Sequence, residues 1–484
     1  MFTHRQTRRL SKQGLTLLLA SASVCVVAAR EGLAERSPHA PDAHAQPAAA
    51  DPSRTPRKEG LRTVTRLPET QPAESPLAAC ENQDGVDWTE APEEDAGHFW
   101  TVGSLRVVPY GAFWSDVVYA TERTNTGPFT LWVFSEEEQG EPAFAADARR
   151  SRFGLNVVGP RFDFLGSAAS KGRVEVDFFG SFVTENRAGV LLRHVYWEVE
   201  NNAFRFLVGQ TWDVVSPRIP EMVNYSGAWN AGDIGFRRAQ VRLERFFTVS
   251  PECRWIVQAS INQDVVTDFP ADPGVRREAA GWPVVEGRVA CKLSAGGAEH
   301  DAIELGVSGH IGETGFDFLT PGPPPLSLPA EDDGRFLTWS ANADVRIPFN
   351  PRVGFQGEFF TGSNLSAFLG GIGQGVCPCA RLPIRSTGGW AEVWVCWNRL
   401  LHSHFGYGVD DPLDGDFLFG RSYNQVIFGN LLCDVTDNLT VGFEVSSWKT
   451  LFRETRAGVI PANQLIATAP GEAVVLDFML KYGF

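Results

Sequence analysis

From Val474 to Phe484 every second residue is large and apolar: Val474, Leu476, Phe478, Leu480, Tyr482 and Phe484, with Asp477, Lys481 and Gly483 between them. A repeat of two places the apolar set on one face of a β-strand and the polar set on the other. Chain ends are normally polar and loosely held, so a strand that runs to Phe484 itself predicts an end that is paired and packed. Such a strand has one greasy face, one wet face and two edges, and the rest of the chain must cover all of them.

The same alternation recurs upstream. Val174, Val176 and Phe178 oppose Arg173, Glu175 and Asp177 in 173–179, and Ala239, Val241 and Leu243 oppose Arg238, Gln240, Arg242 and Glu244 in 237–245. Segments 254–262, 338–347 and 439–446 repeat the pattern; in 191–199 the facing of Arg193 and His194 stays open. About sixteen such strands fit into residues 97–484, an even number of the kind that closes into a membrane barrel. The connections alternate in length: 213–234, 265–281, 313–334, 364–384, 410–423 and 449–471 are long, whereas 201–203, 248–251, 295–300, 348–351, 399–401 and 435–438 are short. The short ones carry turn chemistry, as in Asn201-Asn202, Asn350-Pro351 and Asp437-Asn438. Short turns at one rim and long loops at the other define an up-and-down barrel, and a sandwich has no reason to produce that rhythm. The first half is less regular, with 159–170 long for a turn and 185–187 short for a loop.

Composition agrees: 34 Phe, 14 Trp and 48 Gly against 3 Met suit strands and tight turns. A net charge of −15 argues against nucleic acid as a partner. At the N-terminus His4, Arg5, Arg8, Arg9 and Lys12 precede the apolar stretch Leu15–Ala29, which ends in small residues. This predicts a secretory signal peptide over 1–29; the residues before Cys25 make a poor lipidation site. Residues 30–96, rich in Ala, Pro, Asp and Glu, lack hydrophobic periodicity and predict a disordered periplasmic tether. The expectation is therefore an all-β chain, a transmembrane up-and-down antiparallel barrel over 97–484 in the outer membrane of a Gram-negative-type bacterium, in contact with its lipids. The seven cysteines beyond the leader have no zinc-type spacing; Cys377 and Cys379, in a Gly-rich loop, are read as a loop disulfide or inert thiols. No metal or other cofactor is implied.

A charge facing lipid at mid-membrane costs roughly 2–4 kcal/mol, so the charged face points inward. That places Arg173, Arg238, Arg242, Arg254, Glu286, Arg288 and Lys292 in a wet lumen, joined by Arg149, Arg150 and Arg152. Two readings of these arginines stay open: a cationic strip that draws anions into a pore, or pairing with Glu175, Asp177 and Glu244 that stiffens the wall. The third outer connection, 213–234, is aromatic and sparsely charged, and predicts a loop folded into the lumen. Arg218, Glu221, Asn224 and Tyr225 then join Arg150, Arg152, Arg173, Arg238, Arg242 and Arg254 at a constriction. Passive diffusion of small hydrophilic solutes, anions above all, follows. The rivals are a plugged or adhesive barrel whose long loops bind surface partners, and a barrel lipase. Lipase chemistry needs a nucleophile that His310, His402 and His404 do not have near them, so no enzyme is expected.

Several stretches also resemble the trimeric porins of the DcaP-like group. They are Arg152-Phe153-Gly154 ahead of Glu175-Val176-Asp177-Phe178-Phe179-Gly180, then Leu192-Arg193-His194-Val195-Tyr196, Val208-Gly209-Gln210-Thr211-Trp212 and Arg237-Arg238-Ala239-Gln240-Val241-Arg242. Further on, Leu369-Gly370-Gly371-Ile372-Gly373-Gln374-Gly375 and Gly406-Tyr407-Gly408-Val409-Asp410-Asp411-Pro412 look like loop motifs of that group. The likeness covers most of 97–484 at the level of pattern. It implies a sixteen-stranded homotrimer that admits small, often anionic organic solutes. The chain departs from the group in lacking N-terminal heptads and in a second outer loop expected to be almost absent.

Overall fold

The computed structural model describes residues 99–180, 189–265, 274–294, 302–322, 326–453 and 469–484. The leader expected at 1–29 and the tether expected at 30–96 lie outside the described residues. The alternating segments form sixteen long strands: β1 (Leu105–Ala120), β2 (Arg152–Phe162), β3 (Ala168–Asp177), β4 (Leu191–Glu200), β5 (Phe204–Trp212), β6 (Arg237–Ser250), β7 (Cys253–Asn262), β8 (Val284–Ser294), β9 (Ala302–Phe318), β10 (Glu331–Asn350), β11 (Val353–Ser363), β12 (Arg385–Cys396), β13 (Leu401–Pro412), β14 (Gly420–Thr436), β15 (Leu439–Arg453) and β16 (Gly471–Gly483). Each pairs antiparallel with the next, and the short strands Trp100–Val102, Ala143–Asp147 and Val275–Ala279 extend the rims.

Closure is made by the strand that opened the argument. β16 pairs with β15 on one side and with β1 on the other, from Ala112↔Gly483 to Ala120↔Val475. Phe484 completes the ladder through two 3.0 Å backbone hydrogen bonds with Gly111. A Cβ on Gly111 would stand 2.6 Å from the Phe484 ring, so only glycine admits the terminal aromatic there. Both edges of the strand are thereby consumed, and the barrel has no open side.

The barrel is inverted relative to a water-soluble one. Val174, Trp197, Leu243, Val257, Val307, Phe359, Ile427 and Val445 are exposed on the outside, whereas Arg173, Glu175, Arg242, Glu286, Arg288, Glu358, Glu444 and Asp477 are buried inside. An apolar outer surface of this extent is stable only against hydrocarbon. The lumen charges expected from the alternation thus face inward.

Two local expectations need correction. The connection between β2 and β3 is the short turn 163–167, because both strands run further than the alternation suggested. The second outer connection is not nearly absent: β3 ends at Asp177 and β4 begins at Leu191, with 181–188 between them outside the described residues. Phe179 keeps the inward phase of Arg173, Glu175 and Asp177 beyond the end of β3 at Asp177; it is buried and stacks on Tyr225 at 4.8 Å. The facing of Arg193 and His194 is settled by a bulge. Glu175 pairs with His194 and Val176 with Leu192, so Arg193 is the extra residue, and both it and His194 are buried inside.

Candidate functional site

The third loop, 213–236, leaves β5 at Trp212 and returns to β6 at Arg237. Its root is closed by Asp213: its backbone N–H donates to the Phe236 carbonyl at 2.9 Å, and its carboxylate accepts the Phe236 N–H at 2.8 Å. Arg238 Nε donates to the same carboxylate at 2.7 Å. From that root the loop runs along the inner wall and meets one carboxylate after another. Val214 N donates to Glu286 on β8 at 2.8 Å, and Arg218 N donates to Glu358 on β11 at 2.7 Å. Glu221 N donates to Glu392 on β12 at 2.9 Å, and Val223 N donates to Glu444 on β15 at 2.7 Å. Asn224 Nδ2 donates to Asp477 on β16 at 3.0 Å. The strands are met in order around the barrel, so residues 213–225 form a belt hung on the wall.

The chemistry of that attachment is economical. An extended segment away from any sheet has backbone N–H groups without partners, and burying one unpaired is costly. Four wall carboxylates each accept a loop backbone N–H at 2.7–2.9 Å, and Asp477 accepts the Asn224 side-chain amide at 3.0 Å. The carbonyls are used too: Asn430 Nδ2 donates to Glu221 O at 2.6 Å and Arg150 Nη1 to Val223 O at 2.7 Å. Beyond Tyr225 the loop crosses back over the wall. A Cβ on Gly408 of β13 would fall 2.2 Å from Ala231 O, so glycine lets the two backbones touch.

Around the far end of the belt lies a cluster of arginines. Arg193 donates to Glu175 and Asp177, each at 2.6 Å, and to the Tyr225 hydroxyl at 2.8 Å. Arg150 lies over the rings of Trp114 at 3.9 Å and Tyr225 at 5.1 Å, and Arg152 lies 5.2 Å from the Trp114 ring. Lys481 of β16 approaches the same indole at 5.0 Å. Arg173 donates to Asn156 at 2.9 Å. Arg237 packs over Trp212 at 4.5 Å.

The structure therefore brings Arg150, Arg152, Lys481 and Tyr225 together around Trp114, with Arg193 beside Tyr225. It separates other expected site residues from that group. Arg238 is held at the loop root between Asp213 and, at 3.9 Å, Glu286. Arg242 is bound to Gln240 and Glu244, which is the wall-stiffening arrangement. Arg254 stands next to the short turn that precedes β7, over the Phe246 ring at 4.5 Å. Within the loop, Arg218 turns to Glu304 at 3.1 Å, and Glu221 and Asn224 serve as wall attachments; of the four loop residues only Tyr225 meets arginines. The residues that sequence reasoning missed are Arg193 and the carboxylates Glu358, Glu392, Glu444 and Asp477. Their signal was present: each carboxylate sits singly on the inward phase of its strand. What they bind is not written locally. Cys377 and Cys379 are joined by a disulfide in the connection between β11 and β12.

No protein-family model matches this chain, and no curated protein matches it. Among solved structures it is similar to the outer membrane channel DcaP of Acinetobacter baumannii, with 17% identity and a TM-score of 0.61 over 79% of this chain and 99% of that one. It is also similar to an anion-selective porin from Comamonas acidovorans, with 11% identity and a TM-score of 0.50 over 78% of this chain and 100% of that one. A closed sixteen-strand antiparallel barrel with an apolar exterior and a charged interior, this chain has the fold of the outer-membrane porins, and its resemblance to the DcaP-like channel runs through nearly the whole described barrel.

Proposed function

We propose that this protein is a porin that passes small hydrophilic solutes by passive diffusion, with anions preferred. The observation that carries the reading is the cationic cluster at the far end of the belt. Arg150, Arg152 and Lys481 gather around Trp114, and Arg150 holds the belt through Val223 O while pairing with Asp116 at 3.3 Å. Cationic side chains gathered at a narrow, low-dielectric passage bias the local field toward anions.

The belt also limits size. Residues 213–225 cross the lumen from the β5–β6 root to β16 and so narrow the passage. The resemblance to DcaP-like porins supports a homotrimer in the outer membrane.

Reversal potential under a salt gradient, with the folded protein in a planar bilayer, tests this. Stable steps with anion preference are expected. Steps with cation preference would refute the arginine reading. Folded, inserted protein without steps would refute the pore and leave a plugged barrel with adhesive loops, which the dense packing of loop 213–236 against the wall would then explain.

A further inference from the structure

Near the short-turn rim of the lumen, the start of β13 carries two histidines on the inward face, His402 and His404. His402 Nδ1 and His404 Nε2 face each other at 3.3 Å. The other nitrogen of each ring faces a carboxylate. His402 Nε2 is 3.4 Å from Asp434 Oδ2, and His404 Nδ1 is 3.3 Å from Glu392 Oε1. Both carboxylates already act as acceptors: Asp434 receives the Thr440 hydroxyl at 2.7 Å, and Glu392 receives Gln356 Nε2 at 2.6 Å and Glu221 N at 2.9 Å.

An acceptor carboxylate requires a proton on the imidazole nitrogen that faces it. A neutral imidazole has only one such proton. With His402 protonated at Nε2 and His404 at Nδ1, the two facing nitrogens both present lone pairs. Two lone pairs at 3.3 Å repel unless a cation lies between them. A carboxylate that orients an imidazole from behind is also the usual support of a metal-binding histidine. The separation fits: a tetrahedral centre with Zn–N bonds of about 2.0–2.1 Å holds two ligand nitrogens about 3.3–3.4 Å apart.

We infer that His402 and His404 form a chelating pair for a borderline divalent transition-metal ion such as Zn2+, at the short-turn end of the lumen. The pair supplies two ligands, and water or a solute carboxylate completes the coordination. Glu392 supports His404 and also holds Glu221 of the belt, so the ion sits one residue away from the loop attachment. A second acidic group, Glu278, Asp317 and Asp333 at the opposite rim, carries no such argument, because Arg335 and Arg276 already engage it.

The test is calorimetric titration of ZnCl2 into the untagged, folded barrel in detergent at pH 7.5, with CaCl2 as the hard-cation control. One Zn2+ per chain and no Ca2+ binding are expected. His402→Ala and His404→Ala each abolish that binding. Asp434→Asn leaves both imidazoles in place and lowers the affinity about 10- to 100-fold. The heat-modifiable gel shift of a folded barrel is checked for each variant, and His402→Ala decides if His404→Ala fails to fold. Absence of Zn2+ binding by the folded wild type, or binding unchanged in His402→Ala, overturns the inference and leaves a proton shared between the rings. Binding is read without any current, so this outcome is independent of whether the barrel conducts.

Discussion

Removing Glu358 and Glu444 together should free the third loop without opening the barrel. Glu444 is fully buried and accepts Val223 N at 2.7 Å and Asn430 Nδ2 at 3.3 Å. Glu358 accepts Arg218 N at 2.7 Å and the Ser216 hydroxyl. Truncating either to alanine strands a buried backbone N–H, at about 1–3 kcal/mol. At roughly 2 kcal/mol per site, the Glu358→Ala, Glu444→Ala double variant shifts the attached-to-detached equilibrium by about 4 kcal/mol, or roughly a thousandfold. Neither carboxylate contributes a ladder hydrogen bond, so the strand pairings β10–β11–β12 and β14–β15–β16 persist. The assay is single-channel recording of the folded double variant beside wild type and beside Glu358→Gln, Glu444→Gln, which keeps one acceptor oxygen at each site. Larger steps with frequent transitions between levels are expected from the alanine variant, and a weaker form of the same behaviour from the glutamine variant. Steps of wild-type size and noise from folded alanine variant would show that the wall carboxylates do not position the loop.

Other perturbations test other parts. Arg150→Glu with Arg152→Glu should move the reversal potential toward cations, and an unchanged ion preference removes both from selectivity; Arg238→Glu, which breaks the clamp on Asp213, should instead loosen the loop root. Arg193→Met leaves Glu175 and Asp177 buried without their partner and should lower stability by about 3–5 kcal/mol, read as a lower temperature for the gel-mobility transition of the folded barrel. Gly408→Val places a side chain where Ala231 O now lies and should displace the loop, giving larger conductance steps from a barrel of normal stability. In the outer connection between β13 and β14, the hydrogen bonds from Arg385 hold the Asp416 carboxyl below its ordinary range. A depressed folded-state value means the contact stabilises the loop above the ordinary carboxylate range and is lost as pH falls through the depressed value. Hydrogen exchange over 413–419 should therefore become faster as pH falls from 6 through the acid range once intrinsic rates are normalised, and protection that stays constant to the lowest pH at which the barrel remains folded would refute the contact.

The strands were legible because each one states its own two faces. Val174, Val176 and Phe178 against Arg173, Glu175 and Asp177 need no distant partner to declare a lipid side and a lumen side. Alternating connection lengths add the up-and-down order, and the terminal aromatic of Phe484 announces a paired final strand. Reading failed where a local pattern was altered by something remote. Phe179 keeps the inward phase of β3, but the strand stops at Asp177 and the ring stacks on Tyr225 of the third loop. Arg193 and His194 both turn inward because one extra residue on β4 faces a shorter count on β3.

The arginines show the same division. That they face inward followed from the cost of charge in lipid, and the wall holds them there. Which of them line the passage did not follow, since Arg242 meets Glu244 on its own strand while Arg150 reaches Val223 of the loop. Alternation is a property of neighbours in sequence, so the sequence by itself determined strands, faces and barrel. The belt joins Val223 to Glu444 and Asn224 to Asp477, residues more than 200 positions apart. Such contacts exist only after closure sets the circumference against which the loop is measured, and that was decided by the tertiary structure alone.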